Sequence, residues 1–421
     1  MRADAADTSI LPLQKRWGYF PAGSLGWTVS NEKFMEGTKG WLTHMKLRGS
    51  WGQNGSIAGL SNWAYDSVIA STIKYPFTNA ASYSVGSMPS ATGNFDLKWE
   101  TSEQIDLGLD LRFLRDRLSL TADYFIKKTK DLIIPSASFK PSLIVGNTAS
   151  PINAGNVENK GLELELSWRD NIGDFHYSIS GNIATLNNKV TYLTPMAGDR
   201  MSGGGAGIGT INYFEEGMPI WYMRGYKYAG AGSDGNPTFY NAAGEVVPAS
   251  QIGTNDMQMI GSAIPDFTYG ITLTAGYKGF DLTVFGSGSK GNDVFIGYDR
   301  TSRTMANRLE TFYNNRVSNG GDAILPSNAY WSQYLQSSAM VYDGSYFKIK
   351  QIQLGYTVPK TLLKSLKLSN VRAYVSLDDF FTFTDYPGFD PEFTATGNAM
   401  GIDLGSYPSS KKIVGGINVT F

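Results

Sequence analysis

The 421-residue chain holds 48 Gly, 24 Tyr, 22 Phe and 9 Trp, carries charge on only 17% of its residues and has a net charge of -1. Its 36 basic and 37 acidic residues are spread without long blocks, which excludes nucleic-acid binding through a basic field. The absence of cysteine excludes disulfides, thiolate metal sites and thiol nucleophiles, and no apolar run approaches the roughly 18 residues of a helical membrane span. What remains is a Gly-rich, aromatic-rich chain suited to long strands and many turns.

The N-terminus, MRADAADTSI, lacks the apolar core of a signal peptide, so any export signal is expected outside this chain. Residues 18–29 (YFPAGSLGWTVS) read as a first full strand and residues 43–53 (THMKLRGSWGQ) as a second. A polar and aromatic stretch with Trp63 and Tyr65 follows, to about residue 96. In residues 105–113 every odd position is apolar and every even one polar or Gly, the period of a strand with two unlike faces. Arg115-Asp116-Arg117 turns this strand into residues 118–128. A loop is expected at 131–159, after which Leu162, Leu164, Leu166 and Trp168 alternate with Glu163, Glu165 and Ser167. Residues 171–174 turn into a strand at 175–184.

Residues 190–265 read as a long irregular region, with the Gly-rich run GGGAGIG and the segment GSDGNP. Tyr269 to Tyr277 alternates again, and Lys278-Gly279 makes a hairpin into residues 280–289. A third long stretch, 291–342, is expected to hold a helix around Arg303–Val317. Strands at 345–356 and 371–381 follow, then a loop at 385–410 and the terminal strand KKIVGGINVTF. In that strand Ile413, Ile417 and Val419 share one face, and the chain ends on the aromatic Phe421, expected to be a terminal assembly signal.

The connections alternate short and long without exception, which places every long loop at one end of an up-and-down meander. A transmembrane barrel with short periplasmic turns and long extracellular loops requires this parity, and a Greek-key sandwich does not. The expected fold is therefore all-β: part of a transmembrane, antiparallel, up-and-down β-barrel of about eleven strands with long extracellular loops. With long loops outside, the terminal strand runs inward, Phe421 ends at the periplasmic side, and Ile413, Ile417 and Val419 face lipid. Residues 1–5 then read as the tail of an outgoing strand, and the chain as the C-terminal part of something larger.

Several segments, in order over nearly the whole chain, carry a family resemblance. They include RWGYFPAGSLGWTVSNEKF, MKLRGSWGQNGS, LKWETSEQIDLGLDLRFLRDRLSLTADYFIKKTKDLI, NVENKGLELEL, GSAIPDFTYGITLTAGYKGFDLTVFGSGSKGNDVF, SYFKIKQIQLGYTVP and YPGFDPEF. Together they resemble the SusC/RagA-type TonB-dependent transporters of Bacteroidetes outer membranes. The resemblance implies a barrel of about 22 strands closed by an N-terminal plug. On that reading residues 1–421 supply the C-terminal part of the barrel, without the plug or the first strands. It further implies import of an oligosaccharide or a peptide, a SusD-like surface lipoprotein as a lid, and energy from TonB–ExbB–ExbD through an N-terminal region this chain lacks. Outer-membrane lipid is then a partner and nucleic acid is not. A siderophore-type receptor and a non-transporting surface adhesin are the alternatives.

No enzyme chemistry is expected. His44 and His176 are the only histidines, too few for a His-based triad or a His-rich zinc site. Glu163 and Glu165 are two apart on a strand and so share a lumen-facing side. Gly286-x-Gly288-x-x-Gly291 fits a dinucleotide pattern but ends a strand and enters a loop, which is the wrong context. No cofactor is expected beyond a structural calcium, for which Asp234, Asn236 and Asp256 are weak oxygen-ligand candidates. The loop aromatics Trp63, Tyr65, Trp221, Tyr222, Tyr330, Trp331 and Tyr334 are candidates to stack on a ligand or to pack against the lid. In the family motif around Asp390 a loop-shaping role is expected.

Overall fold

The structure is a computed structural model that describes residues 2–67, 69–75, 84–89, 91–134, 148–298, 310, 314, 321, 329–363, 368–393, 395 and 397–421. The helix expected around Arg303–Val317 falls almost wholly outside the described residues.

Twelve strands make one meander. They are β1 (Arg2–Ala6), β2 (Gly18–Trp27), β3 (Leu42–Ser56), β4 (Glu100–Phe113), β5 (Leu118–Ile134) and β6 (Ile152–Ile172), followed by β7 (Phe175–Thr185), β8 (Phe267–Tyr277), β9 (Phe280–Lys290), β10 (Tyr346–Thr357), β11 (Asn370–Thr384) and β12 (Lys412–Thr420). Each pairs antiparallel with its neighbour in sequence, and a further strand, Asn187–Leu193, pairs with β6 beyond the end of β7. Residues 2–6 form a strand against β2. From β2 to β12 the connections also alternate short and long; the one between β1 and β2, residues 7–17, is no longer than its short neighbour, residues 28–41.

Turn chemistry sets the register at the short end. Between β8 and β9, Lys278 and Gly279 have φ of 45° and 91°, which gives a two-residue turn whose twist suits a hairpin. Between β6 and β7, Gly173 takes φ 61° at the first position of an equally short turn.

The loop expected at 131–159 is shorter than the alternation suggests, because β5 runs to Ile134 and β6 begins at Ile152. Register shifts between Asn153 and Gly155 and between Gly155 and Val157 explain the discrepancy. Each adds a residue to one strand, so the period of two breaks although the pairing continues.

Cross-strand register turns the sequence alternation into continuous rows. Phe113, Leu118, Trp168, Ile179, Leu273, Val284, Ile352, Leu377 and Ile413 are paired partners from β4 to β12. This is the outer face, where Leu107, Ile413 and Ile417 remain 58, 71 and 71% exposed. Aromatic pairs bound it at both ends. Tyr269 stacks on Phe347 at 5.8 Å near the long connections, and Phe280 meets Tyr356 at 4.6 Å near the short ones. From Phe347 to Tyr356 on a strand rising about 3.3 Å per residue and tilted about 40°, the band is roughly 23 Å high, close to the ~25 Å apolar band of membrane barrels.

The buried core lies in the long connections. One cluster gathers Ile211 and Met223 from residues 186–266, Phe295, Trp331 and Met340 from 291–345, and Tyr386 and Ile402 from 385–411. A second gathers Val190, Leu193, Met201 and Phe214 over Ile134, Ala154 and Val157 at the tops of β5 and β6. Stretches that read as irregular thus contain small sheets. One has four strands (Arg200–Ser202, Asn212–Glu215, Tyr222–Gly225, Gln258–Gly261), and another has three (Val341–Asp343, Asp293–Ile296, Ile402–Asp403).

Candidate functional site: a loop body anchored over a polar wall

The inner face of the sheet is polar and internally paired. Arg48 on β3 donates to Asp110 at 2.8 and 3.1 Å and to Asp123 at 3.0 Å, bridging three strands. On the far side Arg372 donates to Asp281 at 3.0 Å and to Gln353 at 2.9 Å. Glu163 pairs in register with Asp123 and Glu165 with Thr121, which places both on this wall. His176 covers Gly276, where a Cβ would come within 2.0 Å of the imidazole, so this histidine fills the wall. The glycines of the dinucleotide-like pattern do the same job. A Cβ at Gly286 would meet the Phe347 ring at 2.5 Å, and one at Gly288 would meet the Tyr346 carbonyl at 2.1 Å.

Above the wall, the last connection (385–411) ties the loop body to the barrel. Lys348 on β10 is 1% exposed. It donates to both oxygens of Asp390 at 3.1 Å and to Ser409 at 2.8 Å, and lies 3.1 Å from Glu392. A buried lysine stays charged only when such acceptors replace water. Lys350, two residues on, also meets Glu392. Burial alone would push the Asp390 carboxyl up. Hydrogen bonds from the Ser409 hydroxyl and amide, the Glu392 amide and Lys348 outweigh it and bring the group down to about 2. The loop-shaping role expected of the Asp390 motif has this geometric basis.

From that anchor the connection threads into the loop body. Phe295 and Ile296 pair in parallel with Ile402 and Asp403. Gly204 donates to the Asn398 carbonyl at 2.6 Å, and Asn212 donates to that of Met400 at 2.8 Å. The Tyr386 hydroxyl donates to Asp403 at 2.7 Å, and burial, with that carboxylate, raises its pKa.

The seven loop aromatics separate. Tyr222, Trp331 and Tyr334 are 1, 3 and 2% exposed. They are core residues in this structure, because a ring enclosed on both faces has none to offer a ligand. Tyr222 donates its hydroxyl to Glu215, and Trp331 stacks on Tyr334 at 5.1 Å. Tyr65 is buried with Leu11 and Leu97; Trp221 is half-buried against Phe214, and Tyr330 packs on the Tyr226–Phe239 cluster. Trp63 is 59% exposed, with φ 63°.

The three calcium candidates fall in two turns, Asp234 with Asn236 in one and Asp256 in the other. Asp234 accepts the Asn236 amide at 3.0 Å and its side-chain amide at 2.7 Å, which lowers its pKa and closes the Asp-Gly turn. Asp256 accepts the Gly253 amide at 2.8 Å and that of Ala242 at 2.9 Å, with the same lowering. Among the described residues no three His, Cys, Asp or Glu side chains converge as metal ligands.

Comparison with known proteins fits this architecture. Residues 2–376 match the family model described as "TonB dependent receptor-like, beta-barrel". TonB-dependent receptor P3 of Formosa agariphila is 31% identical over 96% of this chain and 42% of its own length. TonB-dependent receptor SusC of Bacteroides thetaiotaomicron is 27% identical over 96% of this chain and 40% of its own. The chain therefore spans about two fifths of the length of these relatives, whose names are those of receptors rather than enzymes. The RagAB peptide importer in its closed-closed state shares the fold, with a TM-score of 0.83 at 23% identity over 100% of this chain and 45% of that one. The chain belongs to the TonB-dependent receptor-like β-barrel family of outer-membrane proteins.

Proposed function

We propose that this chain supplies the C-terminal part of an outer-membrane importer. Its cargo is an oligosaccharide or a peptide, its energy comes through TonB–ExbB–ExbD, and a SusD-like lipoprotein rests on its long connections. Phe421 then ends at the periplasmic side and the loop body faces outward. The observation that carries the reading is the loop body itself. Three long connections share one buried core and are fastened to the wall through Lys348 and Asp390, which makes a firm outward surface for a lid to close on. The name peptide importer, printed for a fold neighbour, supports peptide cargo. The seven aromatics divide accordingly: Trp63 is the most available to a ligand or lid, Trp221 and Tyr330 offer part of a ring, and the four buried rings hold the surface in shape.

The test is growth of a strain lacking the gene on a panel of single glycans and peptides, with affinity purification of the tagged protein. Loss of growth on one cargo class, with co-purification of a surface lipoprotein, is the expected result. Undiminished growth on every glycan and peptide, with no lipoprotein recovered, would overturn it.

A further inference from the structure

On the outer face, towards the long connections, the apolar rows give way to lysine. Along β5 the sequence Tyr124, Ile126, Lys128, Lys130 keeps the period of two, and along β6 Leu162 is followed by Lys160 and Glu158. Register aligns Glu103, Lys128, Glu158 and Lys189 across four strands, Lys189 being supplied by the short strand that continues the sheet beside β6. Lys160 stands one outward-facing position nearer the apolar band. Four ammonium groups therefore share this surface with two carboxylates.

The carboxylates do not saturate them. Lys130 takes Glu103 at 2.7 Å, and that same group also accepts the Trp51 indole at 3.0 Å. Lys128 and Lys160 reach toward one carboxylate, Glu158, at 3.5 and 3.8 Å, longer than a good charged hydrogen bond. Each ammonium has three N–H donors, so most of the donor capacity points outward, with two positive charges in excess. Directly adjoining, Leu107, Tyr124 and Leu162 form a paired row that is 58, 42 and 40% exposed. A ligand matching both halves has an anionic head and hydrocarbon tails. Free phosphate has no use for the apolar row, and a zwitterionic head leaves the excess charge uncompensated.

We propose that Lys128, Lys130, Lys160 and Lys189 form a docking site for the phosphate of an outer-leaflet lipid whose acyl chains lie on the Leu107–Tyr124–Leu162 row. This rests on the reading above that the wall spans the outer membrane with its long connections outside. The lysines act as point charges near a phosphate layer, each adding a comparable increment of affinity that salt weakens.

The protein is purified from its own outer membrane in mild detergent at low salt, and the phosphorylated lipid it retains is measured by native mass spectrometry. Combining Lys128→Gln, Lys160→Gln and Lys189→Gln should lower retention about tenfold or more while heat-modifiable migration stays unchanged. Equal retention by this variant and the wild type would overturn the proposal, as would equal binding of vesicles made from phosphorylated and dephosphorylated lipid. Should the triple variant not fold, Glu158→Gln, which raises the excess charge, must increase retention; no increase counts against the site. Failure of the wild type itself to enter the outer membrane would refute the parent reading instead.

Discussion

In the loop body Phe214, Phe239 and Phe295 have no exposed surface, whereas in the wall Leu107, Ile413 and Ile417 are more than half exposed. The same chain thus follows two burial rules. The loop body folds as a water-soluble domain does, with apolar side chains inward and its backbone satisfied by small sheets. The wall inverts this, carrying paired ions such as Arg48–Asp110 on its inner face and apolar rows outside. The difference lies in the solvent each part meets. Strands inside the sheet can leave hydrocarbon-facing side chains unburied because neighbours on both sides bond their backbone groups.

The largest expected effect separates the two rules directly. Phe295→Ala empties a fully buried site in the cluster that joins three connections. It should cost about 3–5 kcal/mol of loop-body stability. Limited proteolysis should then cut the connections 186–266 and 291–345, while the wall keeps its heat-modifiable migration. Loss of that migration would mean that wall and loop body fold as one unit. Removing one partner of the Lys348–Asp390 pair, as in Asp390→Ala, should cost up to ~3–5 kcal/mol, because buried Lys348 then keeps only Ser409 and Glu392, a carboxylate it shares with Lys350. Joint replacement, Lys348→Met with Asp390→Leu, should cost less than either single change; a double-mutant cycle on protease protection of 385–411 measures this. Additive losses would show that the pair is not coupled.

In the wall the polarity of the expected effect reverses. Val284→Arg places a charge in the middle of the apolar row and should cost about 2–4 kcal/mol, whereas Thr283→Arg, one residue away on the inner face, should cost little. Folding into lipid vesicles, read by heat-modifiable migration, distinguishes them. Equal sensitivity would remove the case for two unlike faces.

These contrasts also explain what could be read from the sequence. The wall was legible because its grammar is local. Ile105 to Phe113 announces its faces by period two, and Lys278-Gly279 announces its turn. Where Gly155 adds a bulge, the pattern breaks and the strand reads as loop. The loop body has no such grammar. Trp331 and Tyr334 stand three apart in a five-residue helix, and their partners Ile211 and Ile402 lie far away in sequence, so two core rings read as ligand contacts. Lys348 looked like any inward residue between Phe347 and Ile349. Its partner is separated by 42 positions, and only the acid-rich motif around Asp390 gave a sign of it.

The smallest expected effect concerns acid and tests how the loop body is held to the wall. The Asp390 carboxyl sits at about 2 in the folded protein, below its ordinary value of 3.8. A group whose folded pKa is depressed contributes stability above its unfolded pKa and loses it as pH falls through the folded one. The anchor should therefore be at full strength above about pH 5 and weaken between roughly pH 4 and pH 2, by on the order of 2 kcal/mol. Hydrogen exchange in 385–411 should rise across that window more than exchange in β12, whose outer-face residues carry no carboxylate. Asp390→Asn cannot titrate, so it should start weaker at neutral pH and show a flatter acid response. The two proteins should converge near pH 2. If the wild type and the variant keep parallel profiles down to that pH, acid loosens the loop body elsewhere. Asp390 would then hold the connection through its hydrogen bonds from Ser409 and Glu392, independently of its charge.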